Sequence, residues 1–368
     1  MKHVGMRQLG MASVALGLAA APVLAQDGGL AAPCNDPRVP SSARENCVVV
    51  AQAVESAQPQ LGILLAGGNP TLGTASTGGV RLGILPRVSA TAKANLVFIH
   101  LPDILAESAG GAVQRLNSSV GIPAPALSGT ASVGVFPGVS LLPTIGGVGA
   151  VDLLGTATWL PLSTFDSEGF SRGDVPDFTW GLGARVGLLR ESFTTPGVSV
   201  SLMYRRLADL SYGDVCDSPG SAQQTGSGSG YTVAAGPCGS SGDPGEFSMN
   251  LTDWSTRAAV SKRLLGLGLT VGVGYDRFGS DVGFGLRTSC PTGTTGSTSC
   301  YARFSDLSTK NSRWSGFVDG SFSILMATLA AEVGWLQGSD PIQGYPTSSD
   351  FDPGNGTFFG SVGLRIAL

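Results

Sequence analysis

Apolar residues recur at every second position in several long segments of the chain. Between Phe358 and Leu368 every even position is apolar or glycine, whereas Ser361 and Arg365 occupy odd positions. Side chains of a strand alternate between two faces, so this pattern predicts a strand with one apolar face. The same alternation is found in Val80–His100, Ala131–Leu141, Val151–Trp159, Phe178–Arg190, Val198–Tyr212, Phe247–Leu264, Leu267–Tyr275, Arg313–Phe322 and Ala327–Trp335.

The connections between these segments alternate between long and short. Asp214–Gly245, Thr288–Tyr301 and Gly338–Gly356 are long and polar, whereas Leu264-Leu265-Gly266 is a tight turn. Long loops at one end and short turns at the other are typical of a closed antiparallel membrane barrel. The sequence therefore predicts an all-β fold in which the strands run alternately up and down.

The positions of the tryptophans agree with long loops at one end of the barrel and short turns at the other. Trp159, Trp180, Trp254 and Trp335 fall toward the long-loop ends of their strands, where amphipathic rings favour a membrane interface. Trp314 is expected nearer the middle of its strand and fits this arrangement less well.

The composition favours a membrane barrel over a secreted, soluble β-sandwich. The mean hydropathy is +0.22, 13% of the residues are charged, and 55 are glycine. Beyond the N-terminal region no run of about 18 apolar residues predicts a transmembrane helix. Sandwich strands are usually about five or six residues long, shorter than the alternating segments here. The few basic residues and the formal net charge of -4 argue against nucleic-acid binding.

The N-terminal region differs from the rest of the chain. Lys2 and Arg7 precede an apolar stretch, and Val23-Leu24-Ala25 has the small residues of a cleavage site. Residues 1–25 are therefore expected to be a signal peptide. Residues 26–68 are predicted to form a short, partly helical arm that either plugs the lumen or lies in the periplasm. Residues 69–368 are assigned to the barrel.

The C-terminal segment resembles the signal that ends outer-membrane β-barrels. Ser361, Gly363, Ile366 and Leu368 match its polar-x-Gly-x-x-apolar-x-apolar pattern, although Leu368 stands where Phe or Tyr is commoner. The resemblance to porin-like proteins of Gram-negative bacteria implies an outer-membrane location, contact with its lipid, and recognition by the barrel-assembly machinery. The arm followed by Asn69-Pro70 is loosely similar to the outer-membrane fatty-acid and hydrocarbon transport family.

The number of strands depends on two segments. Apolar residues stay on even positions from Val80 to Phe98, so Pro86-Arg87 either begins an odd-length turn or lies within one long strand. With the first option, and with Gln60–Ala66 counted as a strand, the chain has about twelve strands; otherwise it has about ten. We predict a closed antiparallel transmembrane β-barrel of about twelve strands, within a range of about ten to fourteen.

The six cysteines fall into three local pairs. Their positions outside the predicted membrane strands and the expected oxidising compartment favour disulfides. A metal site would instead need clustered cysteines and histidines, which the sequence lacks, and no metal or other cofactor is predicted. The expected pairs are Cys34 with Cys47, Cys216 with Cys238, and Cys290 with Cys300.

Charged residues are predicted to face the lumen, because a charge on the lipid face costs about 2–4 kcal/mol at the membrane midplane. This lumen could be packed shut by salt bridges or could be a hydrated channel. Arg205 and Asp209 are expected to share the inward face, with Asp209 meeting Arg185 or Arg257. The predicted lumen-lining residues are Arg81, Lys93, Asp152, Arg185, Arg205, Asp209, Arg257, Asp276, Arg313, Asp319, Glu332 and Arg365.

The sequence favours passive passage of small solutes over two other functions. The second hypothesis is a structural or surface-binding barrel whose disulfide-tied loops carry the contacts. The third is an outer-membrane hydrolase, which would have to use His100, and catalysis is not expected. The acidic loops Asp166–Asp177 and Asp340–Asp352 could hold calcium but lack the spacing of a calcium loop.

Overall fold

The computed structural model describes residues 29–78, 87–102, 119–140, 146–160, 170–171, 178–222, 224–228, 230–240, 242–290, 299–338 and 354–367. Its one α-helix in these ranges, α1, spans Arg44–Ala66 and follows short 3-10 turns at Gly29–Asn35 and Ser41–Ala43. The strands are β1 (Val88–Pro102), β2 (Ser119–Phe136), β3 (Ala150–Trp159), β4 (Phe170–Ser171), β5 (Phe178–Leu189), β6 (Gly197–Tyr212), β7 (Gln224–Gly228), β8 (Tyr231–Pro237), β9 (Gly245–Leu264), β10 (Leu267–Thr288), β11 (Cys300–Ile324), β12 (Ala327–Leu336) and β13 (Thr357–Ala367).

Ten of the described strands close into an antiparallel barrel, which confirms the predicted fold class. The order around the ring is β1, β2, β3, β5, β6, β9, β10, β11, β12 and β13. The ring closes between its first and last members, where Ser89 pairs with Ala367 and Val97 pairs with Phe359. Outside the ring, β4 pairs with β6, and the β7–β8 hairpin pairs with β11.

The ring of ten described strands lies within the predicted range of about ten to fourteen but has fewer strands than the favoured twelve. Gln60–Ala66 is the last part of α1 rather than a strand, and Pro59 lies inside this helix. A short apolar run fits a buried helix as well as a buried strand, so its periodicity did not distinguish them. The first described barrel strand begins at Val88. Of the possible turn at Pro86-Arg87, Arg87 directly precedes this strand and Pro86 lies outside the described residues.

The outer face of the barrel carries an apolar belt. Side chains alternate between exposed and buried along β12 and β13, as period-two strands with a lipid-facing side require. On β10, the outward residues from Leu267 to Val273 are all apolar or glycine, and each exposed side chain shows about half its surface. The exposed belt also includes Leu96, Phe98, Leu127, Leu153, Trp180, Leu182, Leu202, Val260, Val318, Leu329, Val333, Val362 and Leu364.

Aromatic rings mark one border of this belt, on the side of the long connections, which we call the long-loop end. The ring of Tyr204 lies 6.0 Å from Trp180 and 5.0 Å from Trp254. Trp314 was expected to fit poorly, but it lies 5.0 Å from Tyr275 and belongs to the same border. Trp314 does lie near the middle of its strand, but β11 begins at Cys300 and extends beyond the belt, so its middle lies at the aromatic border.

The opposite end carries the short turns, and we call it the short-turn end. The two-residue turns Leu265-Gly266 and Leu325-Met326 join β9 to β10 and β11 to β12 there. Leu265 and Leu325 are fully exposed and have positive φ angles of 51° and 53°. Positive φ is needed in such tight hairpin turns, and a non-glycine residue adopts it at a cost.

Residues 29–78 lie inside the barrel. α1 contacts β1, β6, β9, β10 and β11, and its residues from Val50 to Leu65 are largely buried. The internal segment thus continues ten residues beyond the predicted boundary at Gly68 before the chain leaves toward β1. Among the described residues, no helix is both long enough and apolar enough to cross a membrane.

Candidate functional site

The long-loop half of the lumen is an apolar core around α1. Inward-facing Phe278 is fully buried, and it packs so closely on Gly62 that an added Cβ there would lie 2.5 Å from its ring. Gln58 makes the main polar contact at this level, because its Nε2 donates to the Ser280 hydroxyl at 2.9 Å. The other buried apolar side chains in this cluster include Leu207, Leu251, Phe284, Phe304, Phe317 and Phe359.

A charged clasp joins the start of the internal segment to the hairpin outside the ring. Arg38 donates from Nε to Asp36 at 2.7 Å, and the Tyr231 hydroxyl of β8 donates to the same carboxylate at 3.0 Å. The hydrogen bonds from Arg38 hold the pKa of the Asp36 carboxyl well below its usual range. The clasp therefore stays charged at neutral pH.

The short-turn half of the lumen holds residues 67–78, which we call the neutral loop because none of them is charged. The loop contacts the wall through its backbone and its small polar side chains. Lys93 on β1 donates from Nζ to the carbonyl of Gly67 at 2.9 Å, and Arg257 on β9 donates to the carbonyl of Gly68 at 3.2 Å. Ser321 on β11 donates to the carbonyl of Gly73 at 3.2 Å.

Two buried carboxylates on neighbouring strands grip the loop at Asn69. The Asn69 backbone N–H donates to Glu332 Oε2 at 2.7 Å, and its side-chain Nδ2 donates to Asp319 Oδ2 at 2.9 Å. Asp319 and Glu332 face each other across β11 and β12 and are almost fully buried. Gly68 has a φ of +65°, and a Cβ there would collide with the Glu332 carboxylate. Only glycine fits this position without a rearrangement.

Three ion pairs lie within the wall itself. Arg185 on β5 contacts Asp152 on β3 at 2.6 Å, Arg205 on β6 contacts Asp253 on β9 at 3.0 Å, and Arg257 on β9 contacts Asp276 on β10 at 2.7 Å. Each pair joins neighbouring strands, and all six side chains are nearly inaccessible to solvent.

The first of these pairs also holds the neutral loop. Arg185 donates to the Thr71 hydroxyl, and Asp152 accepts the Gly78 backbone N–H at 2.9 Å. The loop therefore touches a charge pair that is already matched within the wall.

The structure places the described members of the predicted lumen set inside the barrel. Arg81 and the side chain of Asp209 lie outside the described residues. The contact of Asp209 with Arg185 or Arg257 therefore stays a prediction. Those found in the interior are Lys93, Asp152, Arg185, Arg205, Arg257, Asp276, Arg313, Asp319, Glu332 and Arg365.

The alternation that placed Asp209 inward is interrupted at this point, because a bulge lies between Leu207 and Leu210 on β6. Asp253 is the described carboxylate partner of Arg205.

Sequence reasoning missed several interior residues. Asp253 stands four positions before Arg257 on the same strand, so the alternation that placed Arg257 inward could have placed Asp253 there too. Gln58 and Asn69 were missed because the arm had no assigned position relative to the wall. Glu191 lies in a turn, where alternation gives no direction.

The three predicted disulfides are confirmed. They join Cys34 to Cys47, Cys216 to Cys238, and Cys290 to Cys300. The first ties α1 to the turn before it, and the second lies at the base of the β7–β8 hairpin.

The residues of the C-terminal pattern occupy both faces of β13. Ser361 is buried and donates to Glu332 at 3.2 Å, Gly363 faces inward, and Ile366 is exposed on the outer face. Leu368 lies outside the described residues.

The remaining candidate sites lie mostly outside the described chain. These are the His100 side chain and nearly all of the two acidic loops, at residues 166–177 and 340–352. Within the described ranges, no group of three or more His, Cys, Asp or Glu side chains is placed to hold a metal ion.

No protein-family model and no curated protein matches this chain. Its structure is similar to that of the outer membrane protease OmpT from Escherichia coli, with 12% identity, a TM-score of 0.31, and coverage of 77% of this chain and 97% of that one. It is also similar to the translocator domain of the autotransporter NalP from Neisseria meningitidis, with 13% identity, a TM-score of 0.36, and coverage of 86% and 98%.

A third similar structure is an outer membrane channel from Pseudomonas putida F1, with 9% identity, a TM-score of 0.29, and coverage of 78% of this chain and 97% of that one. All three identities and TM-scores are low. The barrel fold of this chain is established by its own strand pairing.

Proposed function

We propose that this protein is an outer-membrane channel that its own residues 29–78 keep closed, and that small polar solutes pass when the neutral loop leaves the wall and α1 shifts within the long-loop half. The membrane location is supported by the apolar belt and its aromatic border, since such surface is stable only against lipid.

The proposal rests on which residues pair with the charged side chains of the barrel wall. Three arginine–aspartate pairs are complete within the wall, so the loop can leave without separating them. A buried charge that loses its partner is strongly destabilising, which would lock a charged plug in place. A neutral loop avoids that cost, and its departure leaves a wall lined by charges of both signs.

The charged loop contacts that lie outside these three ion pairs define the latch. Lys93, Asp319 and Glu332 bond directly to the loop at Gly67, Asn69 and Gly73. These three side chains would become hydrated when the loop leaves, which lowers the cost of losing their contacts. Opening therefore depends mainly on breaking this latch.

A substitution at Gly68 tests the proposal. Gly68→Val should push the Glu332 carboxylate away from Asn69, because the added Cβ collides with it. In planar bilayers we expect steady conductance from this variant and rare or no openings from the unaltered chain. Gly149→Val is the matched control, because Gly149 has a similar φ of +73° but no neighbour within 4 Å of an added Cβ.

A cross-link provides the converse experiment. Cysteines introduced at Gln58 and Ser280, whose side chains are in contact at 2.9 Å, can be joined by a short thiol-reactive linker. All six native cysteines are in disulfides, so the new thiols react selectively. Linking them in the Gly68→Val background should reduce the conductance. If Gly68→Val conducts no more than Gly149→Val, the channel proposal is wrong.

A surface-binding barrel is the second candidate. It is supported by the β7–β8 hairpin, which stands outside the ring and is held by the Cys216–Cys238 disulfide and by pairing to β11. Absence of conductance from every variant, together with ligand capture at the long-loop end, would favour it. The hydrolase hypothesis is tested by comparing lipid hydrolysis by the unaltered chain and by His100→Ala.

A further inference from the structure

Two arginines at the short-turn end of the lumen have no carboxylate partner among the described residues. Arg263 on β9 has the same inward parity as Arg257, and Arg365 comes from β13 on a distant part of the ring. Both stand close to the strand ends where the neutral loop leaves the barrel. A guanidinium group inside a protein normally pairs with a carboxylate.

The contacts of these arginines are weak. Arg365 is only 8% exposed, yet it donates to just two neutral acceptors, the Leu72 carbonyl and the Thr328 hydroxyl, each at 3.5 Å. The Nε of Arg263 is buried and has no hydrogen-bond partner in the described structure. A buried donor without an acceptor is costly, so both side chains are prepared to accept a better ligand.

The surrounding charge is mostly positive. Arg263, Arg185 and Arg87 repel the charge of Arg365, whereas Glu191 attracts it. Glu191 accepts hydrogen bonds at Oε2 from Ser76 at 3.1 Å and Ser261 at 3.3 Å, and its buried Oε1 has no hydrogen-bond partner in the described structure.

We propose that Arg263 and Arg365 form a binding site for a small oxyanion, a carboxylate or a phosphate, at the short-turn mouth of the lumen. The planar guanidinium fork matches both groups and binds them through paired, charge-assisted hydrogen bonds. An incoming oxyanion would give Arg365 a charged acceptor in place of the distant Leu72 carbonyl. It would also give the orphaned Nε of Arg263 an acceptor.

Binding at this site is independent of the channel function proposed above. Only its consequence for transport rests on that function, because an anion that displaces Leu72 from Arg365 also loosens the neutral loop. In that case small anionic solutes are the substrate class, and they favour the open state through the contacts that recognise them.

Calorimetric titration of the full chain in detergent with inorganic phosphate, against matched sodium chloride, tests the site. We expect saturable phosphate binding, with the dissociation constant raised at least about tenfold in Arg263→Gln and in Arg365→Gln. Arg277→Gln is the control, because it removes the same charge from an exposed, outward-facing position. Arg263→Lys and Arg365→Lys should retain part of the affinity.

Heat-modifiable migration on a gel shows which variants have folded, and the Lys variants replace any Gln variant that has not. No saturable binding, or binding that is equally strong in the folded Gln or Lys variants and the unaltered chain, overturns the proposal. These titrations need no open channel. If no variant conducts but phosphate still binds, the transport function is therefore rejected and the binding site is retained.

Discussion

The two halves of the lumen hold the internal segment in different ways. In the long-loop half, α1 presses apolar side chains against Phe278 and its neighbours. In the short-turn half, the neutral loop lies against charged residues from several strands and is held by directed hydrogen bonds. Apolar contact depends mainly on area and volume, whereas each of these hydrogen bonds depends on one atom in one position.

This difference separates anchoring from release. The apolar half tolerates small shifts of the helix, since no single contact defines its position. In the polar half the neutral loop is held in a more precise position, but it can be released when a few hydrogen-bonding atoms move. The segment is therefore anchored at one end and latched at the other, which is the arrangement a gate requires.

The largest expected effect comes from breaking an ion pair in the polar half. Asp152→Ala leaves Arg185 buried without a carboxylate and removes the acceptor for the Gly78 N–H. We expect a loss of about 3–5 kcal/mol in the free energy of unfolding, measured by urea titration in detergent. Asp281→Ala removes an exposed outer carboxylate and should change the stability by less than about 0.5 kcal/mol.

A smaller effect is expected from a change of shape in the apolar half. Phe278→Leu keeps an apolar side chain against Gly62 and should cost about 1–2 kcal/mol in the same titration. Phe193→Leu, at a position 85% exposed in a turn, is the control and should cost less than about 0.5 kcal/mol. A loss at Phe278 as large as that at Asp152 would contradict the distinction between the two halves.

The smallest effect concerns Glu55 in α1, where burial raises the pKa of the carboxyl. The folded state then holds the proton more tightly than the unfolded state. The contribution of Glu55 to the free energy of unfolding is complete at pH values below the unfolded-state pKa of about 4.3. It is lost as the pH rises through the higher pKa of the folded state. Glu55→Gln should therefore raise the melting temperature by about 1–2 °C at pH 8 but not at pH 4.

The matched control is Asp217→Asn, which neutralises an exposed carboxylate outside the barrel and should show no such pH-dependent gain. An equal gain for Glu55→Gln at both pH values would mean that the substitution acts through packing rather than through the charge.

The barrel was predictable because lipid on one side imposes strict alternation. The same rule placed Arg185 and Glu332 inward with no knowledge of their partners. Alternation gives no direction at the bulge after Leu207, and it did not distinguish helix from strand in the short apolar run at Gln60–Ala66. The site itself depends on which wall residues contact the neutral loop. These contacts are set by the path of the loop, and the sequence of the loop has no periodic pattern from which its path could be predicted.

The seam between β1 and β13 has a consequence for biogenesis. It joins residues from opposite ends of the described chain, such as Ser89 and Ala367, and it is the pairing that seals the cylinder. Contacts so distant in sequence are slow to form. Since α1 and the neutral loop lie within the cylinder, sealing also encloses them, and the segment has to be in place before the two margins meet. If the arm entered late, the barrel would close around an unoccupied interior, so the timing of this one pairing decides whether the lumen is filled or empty.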